Sequence, residues 1–200
     1  MANLAAHLDI VKAFGLPSVV AINRFPTDTD EVLTLLQQLA SGAGADQVVV
    51  NDGFGKGGAG AIQLAEAVVE ASQRESRFAP INPPGLDIEQ QIERIATRLY
   101  GAASVEYSTE AERKLARLAH LGLDRLPVCM AKTHMSLSHD PSQRGRPRGF
   151  RLPIRDLFPS VGAGFVVALC GDIMLMPGLG RDPAFAHVDI DQHGRTVGLF

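Results

Sequence analysis

Residues 18–31 of the chain read SVVAINRFPTDTDE, and this stretch sets the pattern of the fold. Its apolar run, SVVAI (18–22), is β-branched and continuous rather than alternating, which is typical of a parallel strand covered on both faces. The run stops at Asn23, and the polar residues 27–30 are helix-capping types that precede a helical pattern at 30–40. The stretch therefore predicts a strand, a loop and a helix, the repeating unit of an α/β fold.

Predicted strands and helices continue to alternate along the chain. Further apolar runs predict strands at QVVV (47–50), LPVCMA (126–131) and GFVVALC (164–170). Apolar stripes at helical spacing predict helices at 30–40, 60–74, 87–100 and 109–121, with a capping box formed by Thr109 and Glu112. We therefore expect an α/β fold with a mainly parallel sheet flanked by helices. Residues 132–160 and 176–200 show no clear pattern and predict long loops, which are often functional.

Composition narrows the class of protein. The 200 residues are 46% hydrophobic and 20% charged, with a formal net charge of −3, so no global field favours nucleic acid or a membrane surface. The N-terminal segment lacks the pattern of a secretory signal, and the longest uncharged stretch, 161–171, is too short to span a bilayer. We expect a soluble cytoplasmic protein in which Cys129 and Cys170 are two buried thiols rather than a disulfide.

Phe25 is unexpected, because a turn at this place is normally small and polar. Ligands of open α/β sheets bind beyond the carboxyl ends of the strands, where Phe25 and Pro26 could form a stacking platform for a flat molecule. The structural alternative is a hydrophobic staple or packing under a loop. Neither Thr27 nor Asp28 as the helix cap puts Phe25 in the staple position. Stacking and packing both stay open on sequence alone.

A glycine cluster follows the second strand, in VVVNDGFGKGGAGAIQLAEA (48–67). Gly53–Gly58 fits G-x-G-x-x-G, but the region that should supply an acidic strand end is predicted to be helical, and no Walker A motif occurs in the sequence. Glycine N–H groups before a helix, with Lys56 beside them, predict an anion site, and a flexible turn is the alternative. Phe54 in this loop could face Phe25 across a slot.

Three other segments carry weaker signals. GDIMLMPGLG (171–180) offers methionines either to an apolar ring or to the core. The five arginines of RGRPRGFRLPIR (144–155) fit a phosphate, carboxylate or nucleic-acid site, a solvated loop or a subunit contact. HVDIDQH (187–193) alternates potential metal ligands, but a surface strand explains it better, and we predict no metal site. No spacing identifies a nucleophile and its base, so no catalytic residue is assigned.

Several segments together resemble one known family, formate–tetrahydrofolate ligase. They are VVAINRFPTDTDEV, KGGAGAIQLAEAVVE, IATRLYGA, VEYSTEAERKL, LPVCMAKTHMSLSHDP, AGFVVALCGDIMLMPGLG and the terminal VGLF. Because they run through the whole chain, residues 1–200 are identified as the C-terminal portion of such an enzyme, without its N-terminal P-loop domain.

The resemblance implies a P-loop NTPase-like ligase fold and a reaction. ATP, formate and tetrahydrofolate would give 10-formyltetrahydrofolate, ADP and phosphate through formyl phosphate, with Mg²⁺ on the ATP and a monovalent cation left open. The full-length enzyme would be a homo-oligomer that binds small molecules and neither nucleic acid nor membrane. The implied site residues are Phe25, Pro26 and Phe54 around the pterin, Lys56, Gly57 and Gly58 near the phosphate, and Met176, Pro177, Gly178 and Leu179 against the adenine.

The chain also departs from the family pattern. Many members carry Trp at the position of Phe54, Gln-Tyr at His134-Met135 and Pro at Gly180, and Arg146 and Arg148 are additional. Without a P-loop, we expect this chain to bind substrates but to be inactive alone. The competing hypotheses are a nicotinamide-dependent oxidoreductase, a polyanion-binding module, and an assembly module whose apolar surface is exposed.

Overall fold

The structure is a computed structural model that describes residues 1–173 and 180–198. Within these residues the helices are α1 (Ala2–Ala13), α2 (Asp30–Gly42), α3 (Gly53–Lys56), α4 (Ile62–Gln73), α5 (Ile88–Ile95) and α6 (Thr109–His120). The strands are β1 (Val19–Asn23), β2 (Gln47–Asn51), β3 (Ser104–Tyr107), β4 (Val128–Ala131), β5 (Arg151–Ser160), β6 (Phe165–Cys170), β7 (Asp189–Ile190) and β8 (Thr196–Val197). This is an α/β arrangement, as the sequence predicts.

The first unit of the fold is a parallel pair of strands. β1 and β2 pair in register from Val19 opposite Gln47 to Asn23 opposite Asn51. α2 connects the two strands, α4 follows β2, and both helices pack on the pair. The predicted strand–helix–strand–helix order of this part is confirmed, with the ends of the elements shifted by one or two residues.

The second unit is a four-stranded sheet in the order β3-β5-β6-β4. β3 is parallel to β5 and β4 is parallel to β6, but β5 and β6 are antiparallel. α5 and α6 cover this sheet. The main hydrophobic core lies between these helices and the sheet, with Ile92, Leu152 and Val166 fully buried. The expectation of one mainly parallel sheet is therefore corrected: the described residues form three sheets, of which the four-stranded one is mixed and the β7–β8 pair is antiparallel.

β5 is the longest strand that the sequence patterns miss, since it lies inside the predicted loop 132–160. Its buried residues are Leu152, Ile154 and then Leu157, because the pairing shifts register between Ile154 and Asp156. A bulge of this kind breaks the alternation of apolar residues that identifies a strand. Pro153 and Pro159 weaken the signal further, since proline is rare inside sheets.

Helix ends also differ from prediction. Ser108, not Thr109, caps α6, and its hydroxyl accepts a hydrogen bond from the Ala111 N–H at 3.1 Å, so the predicted capping box is wrong. A capping box does occur at α5, between Asp87 and Gln90. α1 was not predicted, because its cap position, Met1, supplies no side-chain hydrogen bond.

The two cysteines differ in environment. Cys170 is buried at the end of β6, where burial raises the pKa of its thiol to about 12. Cys129 is exposed on β4, an outer strand of the larger sheet. Both thiols are free, as expected, but the prediction that both are buried is wrong for Cys129. None of the described helices is both long and apolar enough to cross a bilayer.

Candidate functional site

The carboxyl ends of β1 and β2 lie side by side and are tied together. Asn51 Nδ2 donates to Asn23 Oδ1 at 2.9 Å, and the Arg24 N–H donates to the Asn51 carbonyl at 2.9 Å. The two loops that carry the predicted site residues therefore leave the sheet from a single edge. This is the edge at which open α/β sheets bind their ligands.

Phe25 opens a tight turn that leads into α2. Its N–H donates to Asp28 Oδ2 at 2.8 Å, and the Asp28 N–H donates to the Phe25 carbonyl at 3.0 Å. Thr29 is the cap of α2, accepting from the Val32 N–H at 3.4 Å. The staple position is then Asp28, so Phe25 is not a staple. Phe25 is 52% exposed.

Phe54, in α3, lies against Phe25. The two ring centroids are 5.7 Å apart and the ring planes are inclined by 48°. A flat ligand held between parallel rings needs a centroid separation of about 7 Å, twice the contact distance of about 3.5 Å. The rings therefore touch each other in this structure, and a molecule could enter between them only after one ring had moved. Phe54 is 76% exposed.

The glycine segment forms a folded turn rather than an open loop. α3 is followed by a 3-10 turn over Gly57–Ala61, and the Asp52 N–H donates to the Gly60 carbonyl at 3.1 Å. A Cβ atom on Gly60 would lie 2.1 Å from the Asp52 carbonyl oxygen, so only glycine fits there. Gly57 has a φ of +58°, which favours glycine. The positions of Cβ atoms on Gly57 and Gly58 are in open space.

Lys56 does not stand alone in this turn. Its Nζ lies 2.8 Å from Asp52 Oδ2, one helical turn earlier, and this hydrogen bond holds the pKa of the Asp52 carboxyl below its ordinary value. An anion bound at Lys56 must therefore compete with Asp52. The turn therefore carries one cation, Lys56, and two glycines with open space beside them, Gly57 and Gly58. All three follow Phe54 within a few residues of the chain.

The other predicted segments lie elsewhere. Three of the five arginines form ion pairs: Arg146 with Asp9, Arg151 with Glu106 and Arg155 with Asp172. The histidine–aspartate segment 187–193 contains β7 and leads into the turn before β8, and among the described residues there is no cluster of three metal-ligand side chains. Met176, Pro177, Gly178 and Leu179 lie outside the described residues.

Sequence patterns missed three residues at this edge. Asn23 and Asn51 join the strand ends through a hydrogen bond, and Asp52 forms an ion pair with Lys56. A signal existed for each: both asparagines end apolar runs of predicted parallel strands, and Asp52 and Lys56 have the i,i+4 spacing at which helical side chains pair.

The amino-acid sequence is similar to known proteins of one family. A profile of the formate–tetrahydrofolate ligase family matches residues 1–200. The chain belongs to the formate–tetrahydrofolate ligase family. It is 48% identical over 198 residues to the formate–tetrahydrofolate ligase of Roseiflexus castenholzii, covering 99% of this chain and 35% of that protein. The corresponding ligase of Vibrio cholerae is 46% identical over 199 residues, covering 99% of this chain and 34% of that protein.

The chain thus spans about a third of the length of the curated relatives it matches. The family assignment agrees with the resemblance read from the sequence segments. In contrast, the competing dinucleotide hypothesis gains no support, because among the described residues β2 has no strand neighbour after α4. β3, the next strand, lies in the other sheet. A dinucleotide site needs an acidic residue at the end of the next strand of the same sheet, and the described residues contain no such strand beside β2.

Proposed function

We propose that this chain supplies the tetrahydrofolate-binding part of a formate–tetrahydrofolate ligase and corresponds to the C-terminal portion of that enzyme. The observation that carries the proposal is the contact of Phe25 with Phe54 at the joined ends of β1 and β2. Aromatic rings at such an edge suit a flat heterocycle such as a pterin, and stacking contributes about 0.5–1.5 kcal/mol beyond burial of area. Pro26 would support the Phe25 side of the site.

Lys56, Gly57 and Gly58 belong to the same proposal as contacts of the phosphate. In the reaction, a formate oxygen takes the γ-phosphoryl group of ATP, and ADP leaves. The folate N10 then attacks the formyl carbon, phosphate leaves, and N10 loses its proton. A cation beside the leaving phosphate would stabilise its charge, provided that Lys56 is released from Asp52.

Other parts of the reaction need residues beyond this site. The sequence contains no Walker A motif, which is the usual phosphate cradle, so the full reaction with Mg²⁺–ATP requires further residues of the family enzyme. Adenine contacts at Met176, Pro177, Gly178 and Leu179, a monovalent cation, a cytoplasmic location and a homo-oligomeric full-length enzyme are parts of the proposal supported by family membership alone.

Calorimetric titration with tetrahydrofolate, done anaerobically, tests the site. We expect Phe25→Ala to weaken binding by roughly 1–3 kcal/mol, about five- to a hundredfold, because it removes one stacking surface. Phe185→Ala is the matched control, since Phe185 is an exposed ring outside the site. It should leave the affinity unchanged.

Equal binding by wild type and Phe25→Ala would refute the stacking role. A folded chain that binds no tetrahydrofolate would show that these 200 residues do not form the site by themselves. The same pair of variants is then compared in a chimera, in which this chain replaces the matching third of the Roseiflexus castenholzii ligase.

A further inference from the structure

A cavity of about 480 Å³ lies between α1 and the segment 132–145, which follows β4. This volume is typical of small-molecule sites. Asn3, His7 and Ile10 line it from α1, where their i, i+4, i+7 spacing places them on one face of the helix. None of its lining residues belongs to the edge that carries Phe25 and Phe54. The cavity is therefore separate from the candidate site.

The wall formed by 132–145 is held by hydrogen bonds within the segment. The Ser136 hydroxyl donates to the Gln143 carbonyl at 2.5 Å, and the Ser138 N–H donates to the Ser136 hydroxyl oxygen at 2.9 Å. Both serines are buried. Asn3 Nδ2 donates to the Gly145 carbonyl at 2.9 Å and so ties α1 to the same segment. The walls are thus in place before a ligand arrives, which lowers the cost of binding.

Lys132 brings a partly buried charge to this cavity. Its Nζ donates to the carbonyls of Thr133, at 2.8 Å, and of Ser136, and it lies 5.1 Å from the centre of the Tyr100 ring. An ammonium group has three N–H donors, so one is left without a protein acceptor in the described part of the chain. Burial lowers the pKa of Lys132, and no carboxylate of the described residues opposes that shift. A buried cation without a counter-charge is costly, and a bound anion would offset that cost.

Arg144 is the other side chain with a fixed positive charge that lines the cavity. It is exposed and forms no ion pair with a described residue, whereas three other arginines of 144–155 are ion-paired. Among the described residues no Asp or Glu lines the cavity, and Ile10, Leu137 and Tyr100 add an apolar surface. The cavity therefore places two cations beside an apolar wall and supplies no anion to them.

We propose that this cavity binds a small carboxylate with an apolar body, whose two oxygen atoms contact Lys132 and Arg144. The guanidinium fork matches the planar carboxylate group, and the free N–H of the ammonium adds a charge-assisted hydrogen bond. The apolar residues of the wall would cover the body of the ligand. Formate has no such body, so it would leave this wall exposed. The proposal rests on the geometry of the cavity and not on the tetrahydrofolate proposal.

Fluorine NMR titration of the 200-residue chain with para-fluorobenzoate tests it. We expect saturable binding. The uncharged para-fluorobenzamide has nearly the same shape and should bind at least about tenfold more weakly, because hydrogen bonds between charged groups are the stronger ones. Arg144→Glu should weaken fluorobenzoate binding by about tenfold or more, since it puts a like charge beside the ligand. Arg148→Glu makes the same charge change in the same segment but outside this cavity, and it should bind like wild type.

A second measurement locates the probe in the wild-type chain. With carbon-13 in the methionine methyl groups, the Met135 signal should shift during the titration, because Met135 lines the cavity. It should shift more than the signal of Met130, which packs against the hydrophobic core. Met135→Leu assigns the signal.

Lys132→Met removes the buried charge and should weaken binding by about tenfold to a hundredfold. The Lys132 side chain also holds two carbonyl groups of the segment, so circular dichroism checks that this variant melts like wild type. If it unfolds, Arg144→Glu and the Met135 signal decide.

Four results would overturn the proposal. The first is no saturable binding of para-fluorobenzoate by the folded wild-type chain, or equal binding of para-fluorobenzamide. The second is wild-type affinity in Arg144→Glu. The third is a Met135 signal that does not move. The fourth is loss of fluorobenzoate binding in Phe25→Ala, which would place the probe at the aromatic pair instead. Tetrahydrofolate is absent from these assays, so a failed tetrahydrofolate titration leaves their outcome unaffected.

Discussion

Phe25 and Phe54 touch across the ends of two neighbouring parallel strands, with ring centroids 5.7 Å apart. The two rings are not held equally. The turn that carries Phe25 is closed by two hydrogen bonds with Asp28, whereas Phe54 lies mostly exposed in a four-residue helix. The backbone at Phe25 is therefore held by its turn, and Phe54 is the more exposed residue of the pair.

Phe54→Trp is expected to bind tetrahydrofolate two- to tenfold more tightly, because the larger ring adds stacking worth about 0.5–1.5 kcal/mol. The resemblance to the ligase family also implies tryptophan at this position. Since the chain contains no tryptophan, the substitution introduces a single fluorophore at the site. Its emission should be quenched on titration with tetrahydrofolate, and the quenching curve gives the affinity. Phe185→Trp is the control for absorption by the ligand, and equal quenching of both variants would contradict the prediction.

Lys56 is expected to bind inorganic phosphate in competition with Asp52, whose carboxylate it contacts at 2.8 Å. Asp52→Asn should raise the phosphate affinity by no more than a few-fold, since a solvent-exposed ion pair contributes little. Lys56→Met should abolish binding, and it should move the pKa of Asp52 up toward its ordinary value. Phosphorus NMR titration measures the affinity, with Lys12→Met as the control. Unchanged binding in Lys56→Met would show that this lysine is not the phosphate contact.

Part of this edge could be predicted from the sequence. The runs SVVAI and QVVV end in asparagine, and because parallel strands place their carboxyl ends at one edge, the proximity of Phe25 and Phe54 follows. Their separation and tilt do not follow, since these depend on the short α3 and on the bond between Asp52 and Gly60. No local pattern encodes that turn.

Other elements escaped prediction for definable reasons. In β5 a register shift moves burial from Ile154 to Leu157, and the alternation that marks a strand is lost. The cap of α6 was placed one residue late, since Ser108 and Thr109 are both capping types and only backbone geometry distinguishes them. The separation of β1 and β2 from the four-stranded sheet depends on long-range pairing, which a single sequence does not specify.

Gly60→Ala is expected to lower the free energy of unfolding by about 1–3 kcal/mol, the usual cost of forcing an extra group into a packed site. The new Cβ would lie 2.1 Å from the Asp52 carbonyl oxygen, so the turn has to move. Urea denaturation measures the change. Gly58→Ala is the matched control, because a Cβ there has no neighbour within 4 Å, and it should be near neutral. A loss of the same size in both variants would mean that general glycine flexibility, and not this contact, matters.

Asp46 joins the start of β1 to the start of β2, and this link should depend on pH. Its Oδ2 accepts from the buried Ser18 N–H at 2.9 Å and from the Ser18 hydroxyl at 2.9 Å, and the first of these bonds does most to lower the pKa of Asp46. Asp46→Ala leaves the Ser18 N–H without this acceptor, so we expect a loss of about 1–3 kcal/mol in the free energy of unfolding at pH 7.

The sign of the pH dependence follows from the direction of that shift. A carboxyl whose pKa is lower in the folded chain than the unfolded value of about 3.9 stabilises the fold fully above that value. Its contribution is then lost as pH falls through the folded pKa. The difference between wild type and Asp46→Ala, measured by urea denaturation, should therefore be constant from about pH 8 to about pH 5 and shrink below about pH 4. Glu75→Ala, at an exposed carboxylate with no ion pair in the described residues, should change stability by less than about 0.5 kcal/mol. A difference for Asp46→Ala that grows toward acid pH would contradict the assigned bond.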